Sequence, residues 1–326
     1  MINLYKADGN VLVSVDTLAE LDPSQNVLWI DLLNPSREED IAVEEFLKIS
    51  IPTQEDMKES EPSARLYDEH GADYMTMQAV SLIDLEQPKK CPITFILHTN
   101  ALVTVRYEDF ASLHIYADRA KKKNGVPMAS AQGIMFDIIE SFINRIADTL
   151  ETLDEGIDKI SDAIFRSKKI SIKRKNEIFQ ASIRKIGGKG DMLGMLRESL
   201  TGITRLLSHH NARMPENPPK PVRIKMNSLT RDVAALADHA NFLSGKMGFL
   251  LDATLGLINL EQNQIIKIFS VAAVVFLPPT LIASMYGMNF QNMPELQSAW
   301  GYPITLIVML VSALIPLAYF QKKGWL

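Results

Sequence analysis

The stretch "FLPPTLIASMYGMNF", residues 276–290, decides how this chain is built. It closes one uncharged run and precedes a second. Residues 268–294 hold no Asp, Glu, Lys or Arg, residues 296–321 hold none either, and Glu295 alone separates them. Each run exceeds the roughly 20 residues a helix needs to cross the hydrocarbon core of a bilayer. Two spans follow, with "YGMNF" (286–290) where the first one ends. Gly287 and Asn289 admit two readings there. They can be the turn that reverses a membrane hairpin, because glycine and asparagine commonly end helices, or Asn289 can offer its carboxamide to an ion crossing the membrane.

Basic residues favour the cytoplasmic side of a membrane. Lys267 precedes the first span, Lys322 and Lys323 follow the second, and the loop "QNMPELQSAWGYP" (291–303) has no Lys or Arg. Both termini are therefore expected in the cytoplasm and the loop outside, in a multi-pass protein of the cell inner membrane. Trp300, Tyr302 and Trp325 suit the two interfacial belts. The opening "MINLYKADGN" lacks the charged-then-apolar layout of a signal peptide, so the large N-terminal portion is read as cytosolic. The single Cys91 permits no internal disulfide and agrees with a reducing compartment. A net charge of −5 without a basic stripe argues against a nucleic-acid partner. No nucleophile–base pair, phosphate loop or metal-hydrolase spacing is present, and the chain is not read as an enzyme.

The first 125 residues alternate strand-like and helical runs, as a mixed α/β domain does. "NVLWIDL" (26–32) reads as a buried strand, and residues 36–50 as an amphipathic helix opened by a capping box of Ser36 and Glu39. Residues 63–84 and 93–107 read as hairpins turning at 69–71 and 98–100. Residues 126–221 are helical. Ile134, Ile138, Phe142, Ile146, Leu150, Leu153, Ile157, Ile160 and Ile164 recur at three- and four-residue spacing. A second helical stretch covers 171–209, with Gly187, Gly188 and Gly190 predicting a weak point, and "NARMPENPPKP" (211–221) breaks the chain. A stalk helix over 222–265 then continues into transmembrane helix 1 (266–288), an external loop (289–302), transmembrane helix 2 (303–321) and a basic cytosolic tail (322–326). The fold class expected is an α+β membrane protein: a cytosolic α/β domain, long stalk helices and two C-terminal transmembrane helices, assembled as a funnel-shaped homo-oligomer.

Written in sevens, the long helix carries an unusual stripe. Asp252, Asn259, Ile266, Ala273, Thr280 and Gly287 share one position; Gly256, Asn263, Ser270, Leu277 and Ser284 share the one four residues on. An apolar coiled coil would place Leu or Ile at both. Small and polar residues in a membrane can pack helices closely, or they can line a water-accessible pathway. Val271, Val275, Phe276 and Leu281 are bulky and suited to lipid. Pro278 and Pro279 should disturb the span and free carbonyls near Thr280. Two spans cannot enclose a pore, so a pathway requires a symmetric oligomer with the first helix innermost. A neutral amide oxygen suits a hard cation or its hydration water, and Mg2+ dehydrates reluctantly. A ring of amides could hold the hydrated ion loosely enough to release it, with Gly287 permitting the turn that aims them inward.

"YGMNF" followed by "MPEL" (293–296), "GYP" (301–303) and "KKGWL" (322–326), with "INLEQNQIIKIFSVAAVVFLPPTLIAS" (258–284) before it, resembles the CorA family of magnesium and cobalt transporters, in its proteobacterial-type branch. The resemblance implies a homopentamer conducting Mg2+, with Co2+ and Ni2+ as followers, driven by membrane potential. It places a selectivity filter at Gly287, Met288 and Asn289, pore positions at Asn263, Leu277 and Thr280, and a hydrophobic gate at Ile266 and Phe269, while Ser270, Ala273 and Ser284 join the pore-lining candidates from the spacing of the stripe alone. Glu295 would draw cations to the mouth, and Lys322 and Lys323 would form a basic collar or ordinary membrane anchors. Mg2+ is implied as both transported and regulatory ion. The regulatory candidates are Asp252 and Asp232, with Asp84 or Glu86 as partner acid. Asp154, Asp158 and Asp162 read as a solvated face. The adjacent His209 and His210 should point to different helix faces, with no acid to complete a zinc set. Two rivals stay open: a ZntB-like zinc transporter, against which Met288 speaks, and a membrane-anchored coiled-coil sensor or scaffold that conducts nothing.

Overall fold

A computed structural model of the chain describes residues 1–24, 26–59, 61–81, 88–122, 128–166, 172–288, 293–294, 298 and 300–325. They fall into two compact units, Met1–Phe165 with Ile183–Phe249, and Arg166–Ser182 with Leu250–Leu326.

The first unit contains β1 (Ile2–Asp8), β2 (Val11–Val15), β3 (Leu28–Leu33), β4 (Leu66–Glu69), β5 (Ala72–Ser81), β6 (Lys89–His98) and β7 (Ala101–Arg106). They form one sheet of order β2-β1-β3-β7-β6-β5-β4. Only β3 and β7 pair in parallel, with Asp31 opposite Thr104. Such a pair needs a long crossover, which α1 (Arg37–Leu47), the short α2 (Pro62–Arg65) and the β4–β6 meander supply. The two central strands are covered on both faces, and all of β7 is buried, which is why "NVLWIDL" shows an apolar run rather than alternation.

Leu28, Ile30 and Leu32 join Val43 and Leu47 of α1 in one core cluster. Trp29 and Asp31 point to the other face, where Trp29 meets Tyr116 of α3 (Ala111–Ala120) with ring centroids 5.3 Å apart. The capping box forms: the Ser36 N–H donates to Glu39 Oε2 at 2.9 Å and the Glu39 N–H to Ser36 Oγ at 3.3 Å. The predicted hairpin turns are present too. His70 and Gly71 both take positive φ, 51° and 76°, the twist that suits a two-residue connection.

The nine predicted stripe residues of α4 (Ala131–Phe165) are all buried. The glycine weak point is not realised. Helix α5 (Ile172–Arg213) runs through Gly187, Gly188 and Gly190. Each glycine costs about 1 kcal/mol against alanine in a helix, but Ile186, Leu193, Leu196 and Leu200 are buried on the same helix and hold it by packing.

Helix α6 runs from Lys220 to Tyr286 without interruption, so the structure has no boundary between stalk and first span. Pro278 and Pro279 lie inside it. They offer no N–H to the carbonyls of Val274 and Val275, yet the helix continues. The second long apolar helix is α7 (Gly301–Lys322). Both are long and apolar enough to cross a membrane, and almost none of either apolar window is buried within the chain. Within the second unit, Lys267 Nζ sits 5.6 Å from the Trp325 ring centroid and Trp325 stacks on Phe320 at 5.2 Å. The start of one span and the end of the other therefore lie at one level, as in a hairpin. Val271, expected to face lipid, is buried at 4% exposure.

Candidate functional site

On an ideal helix each residue turns about 100°. Asn263, Ile266, Phe269, Ser270, Ala273, Leu277, Thr280, Ser284 and Gly287 then fall within an arc of roughly 120° on α6. All nine are exposed within the single chain, with Phe269 at 71% and Leu277 at 65%. Asn259 and Asp252 continue the same arc. The face is polar at intervals, and Lys267, its charged neighbour, is turned instead to the Trp325 ring. The Thr280 hydroxyl donates to the Phe276 carbonyl at 2.7 Å. That bond ties the hydroxyl back to the helix directly after the two prolines and leaves its lone pairs outward.

The end of the span is built by backbone hydrogen bonds. Gly287 N–H donates to the carbonyls of Ala283 and Ser284 at 3.0 and 3.2 Å, and Met288 N–H to Met285 at 3.3 Å. Gly287 does not take the positive φ that a tight left-handed turn would need. A Cβ there would lie 3.3 Å from the Ala283 carbonyl oxygen, a close approach one turn back along the helix. Met288 follows, 48% exposed. Asn289 and Glu295 lie outside the described residues, as do Asp84 and Glu86. Lys322 and Lys323 are exposed, with Lys323 Nζ 5.3 Å from the Tyr319 ring centroid.

Of the regulatory candidates, Asp232 belongs to the first unit and Asp252 to the second. Asp232 is exposed and, among the described residues, receives the Ser228 hydroxyl at 3.3 Å and a weak approach of Arg231 at 3.8 Å. Asp252 is exposed on the polar arc. Among the described residues no three His, Cys, Asp or Glu side chains converge as a metal site. Asp154 and Asp158 are not merely solvated: Lys246 Nζ bridges them at 2.7 Å each, and those bonds hold the ammonium pKa above its usual value.

Two clusters escaped the sequence. His209 and His210 do share an acid. His209 Nε2 lies 2.8 Å from Asp73 Oδ1, and His210 Nδ1 3.5 Å from Oδ2. Burial pulls the Asp73 carboxyl upward, but the two histidines and Arg213 outweigh it and hold it below the ordinary carboxylate range. In the sheet, the buried Arg106 donates twice to Asp31, at 3.0 and 2.8 Å, and Thr104 Oγ1 donates to Asp31 at 2.8 Å. The signal available was an acid inside an apolar strand, which demands a partner.

Comparison with known proteins agrees with this architecture. Residues 24–323 match the family described as "CorA-like Mg2+ transporter protein". The magnesium transport protein CorA of Haemophilus ducreyi is 32% identical over 330 residues, covering 100% of both chains. That of Escherichia coli K12 is 30% identical over 328 residues, again covering 100% of both. In fold, the chain is similar to the complete CorA magnesium transporter from Methanocaldococcus jannaschii, with a TM-score of 0.80, 20% identity and coverage of 100% and 99% of the two chains. With its sheet domain, its long helix and two membrane-length helices in the same order, this chain belongs to the CorA-like Mg2+ transporter family.

Proposed function

We propose that the chain is the subunit of a gated, passive divalent-cation channel of the inner membrane that carries Mg2+ into the cell, with Co2+ and Ni2+ as lesser cargo. The observation that carries this reading is the exposed arc of α6, on which Asn263, Ser270, Thr280 and Ser284 interrupt an apolar span and which ends at Gly287 and Met288. A lone polar face in lipid is costly. Facing a central axis between symmetric copies, it meets water instead. A homopentamer with both termini cytoplasmic provides that axis.

Asn289 rings the outer mouth and hydrogen-bonds the hydrated ion without requiring full dehydration. Glu295 raises the local cation concentration. Ile266 and Phe269 close the cytoplasmic end by excluding water when the ring narrows. The inside-negative potential drives entry with about 2.3 kcal/mol per charge per 100 mV, twice that for a divalent ion. Asp252 and Asp232 sense intracellular Mg2+, their ligand sets being completed only by another copy.

The test is Mg2+ uptake into proteoliposomes holding a magnesium-sensitive dye under an inside-negative potential, for wild type and Asn289→Ala. Uptake should fall at least about tenfold in the variant, the loss of a ring of ion-facing hydrogen bonds, with the oligomer intact. Zinc uptake without magnesium would transfer the chain to zinc transport, and no flux of either ion would reduce it to a scaffold.

A further inference from the structure

We infer that the first unit carries a binding site for a small phosphate-bearing solute, in the cavity between the β4–β5 edge of the sheet and α5. The cavity, about 280 Å³, is lined by Arg65 and Leu66, by Thr76 and Gln78 on β5, and by Glu198, Thr201 and Arg205 on α5. Gly202 sets the spacing of its walls. A Cβ there would lie 3.2 Å from Met77 Cβ and 3.4 Å from the Gln78 carbonyl oxygen, so glycine lets α5 approach the strand closely enough to floor the cavity.

The lining is rich in donors that have no partner among the described residues. Arg205 makes no hydrogen bond or ion pair among the described residues, and neither does the Gln78 carboxamide. Arg65 spends Nε on the Glu59 carbonyl at 2.6 Å, and both its terminal nitrogens are without a partner among the described residues. Two of the acceptors, by contrast, are engaged. Glu198 is neutralised by Lys90 at 2.8 Å, and Thr76 Oγ1 is bonded to Thr94 Oγ1 at 2.7 Å. A concave site with two guanidiniums and an amide that have no acidic partner among the described residues selects an anion.

Two guanidiniums from different elements need an anion with acceptors on more than one side, which a phosphate's peripheral oxygens supply and a carboxylate's two do not. The volume lies at the lower bound of small-molecule pockets, about 300 Å³, and fits a phosphate or small phosphomonoester rather than a nucleotide. Both uncharged membrane-length runs, residues 268–294 and 296–321, lie in the second unit, and the occupant proposed is a soluble solute rather than a lipid headgroup.

The inference is independent of ion conduction and is tested by binding alone. Calorimetric titration of the full chain in detergent with inorganic phosphate, at constant ionic strength, should give saturable binding of one phosphate per chain, with acetate competing poorly. Arg205→Gln should weaken it by at least about tenfold, the loss of a charged hydrogen-bonded contact. Thr201→Tyr, an exposed helical position at the cavity wall, should abolish it by filling the space. Arg223→Gln, an exposed arginine outside the cavity, should change nothing, and thermal unfolding of each variant establishes that it is folded. No saturable binding in wild type, or equal binding in wild type and a folded Arg205→Gln, overturns the site. Binding only to vesicles containing phosphatidic acid, with none to inorganic phosphate, overturns the soluble solute.

Discussion

Arg106 is 3% exposed at its side chain and has all three of its nitrogens engaged. Nε and Nη2 hold Asp31, and Nη1 reaches Asp109 at 2.5 Å. Burial alone would lower its pKa; the two carboxylates outweigh that and raise it. Breaking such a pair strands a buried charge, which costs about 3–5 kcal/mol. Arg106→Met should therefore lower the thermal unfolding midpoint of the purified chain sharply, whereas Asp109→Asn, at a carboxylate 38% exposed, should lower it little. An Arg106→Met midpoint equal to wild type would mean that the pair adds nothing to stability. At this scale the sequence was half legible. Asp31 could be seen inside an apolar run, but its partner lies 75 positions away and only the parallel register brings them together. Gly287 was legible as the helix end, but it does not take the left-handed turn that would call for glycine.

Elements were more legible than contacts, because periodicity is a property of the helix itself while pairing belongs to the fold. The α4 stripe was readable throughout; the persistence of α5 across its glycines was not, since its packing partners lie elsewhere in the chain. The last turn of α5 carries a consequence for acid stability. His209 and Arg213, one turn apart, both approach Asp73 Oδ1 on β5, at 2.8 and 3.6 Å. Asp73 has a depressed pKa in the folded chain against about 3.9 when unfolded. Its contribution is thus fully present above the unfolded value and is lost as pH falls through the lower folded one. The unfolding midpoint of wild type should drop on acidification below about pH 4, and Asp73→Asn should start lower at neutral pH and show a shallower acid slope. Parallel slopes for the two proteins would locate the acid sensitivity elsewhere.

At the scale of the whole molecule, one chain leaves unfinished what several copies can complete. The apolar windows of α6 and α7 are exposed for lipid, while the polar arc of α6 and the carboxylate of Asp252 have no counterpart among the described residues. The sequence made the arc legible through its spacing in sevens. It did not reveal a partner acid: the candidates Asp84 and Glu86 lie outside the described residues. If copies of α6 surround an axis, Asp252 places like charges within reach of one another, inside a Debye length of about 8 Å at physiological ionic strength. Internal Mg2+ would then relieve the repulsion and favour the closed assembly. Asp252→Asn removes both the charge and the cation's reason to bind. The ratio of uptake at low to high internal Mg2+ should therefore fall toward one in Asp252→Asn proteoliposomes. Asp191→Asn, at an exposed acid on α5, should keep the wild-type ratio. Closure of Asp252→Asn at the same internal Mg2+ as wild type would remove this residue from the sensor while leaving conduction through the α6 arc untouched, since the Asn289 measurement reads that separately.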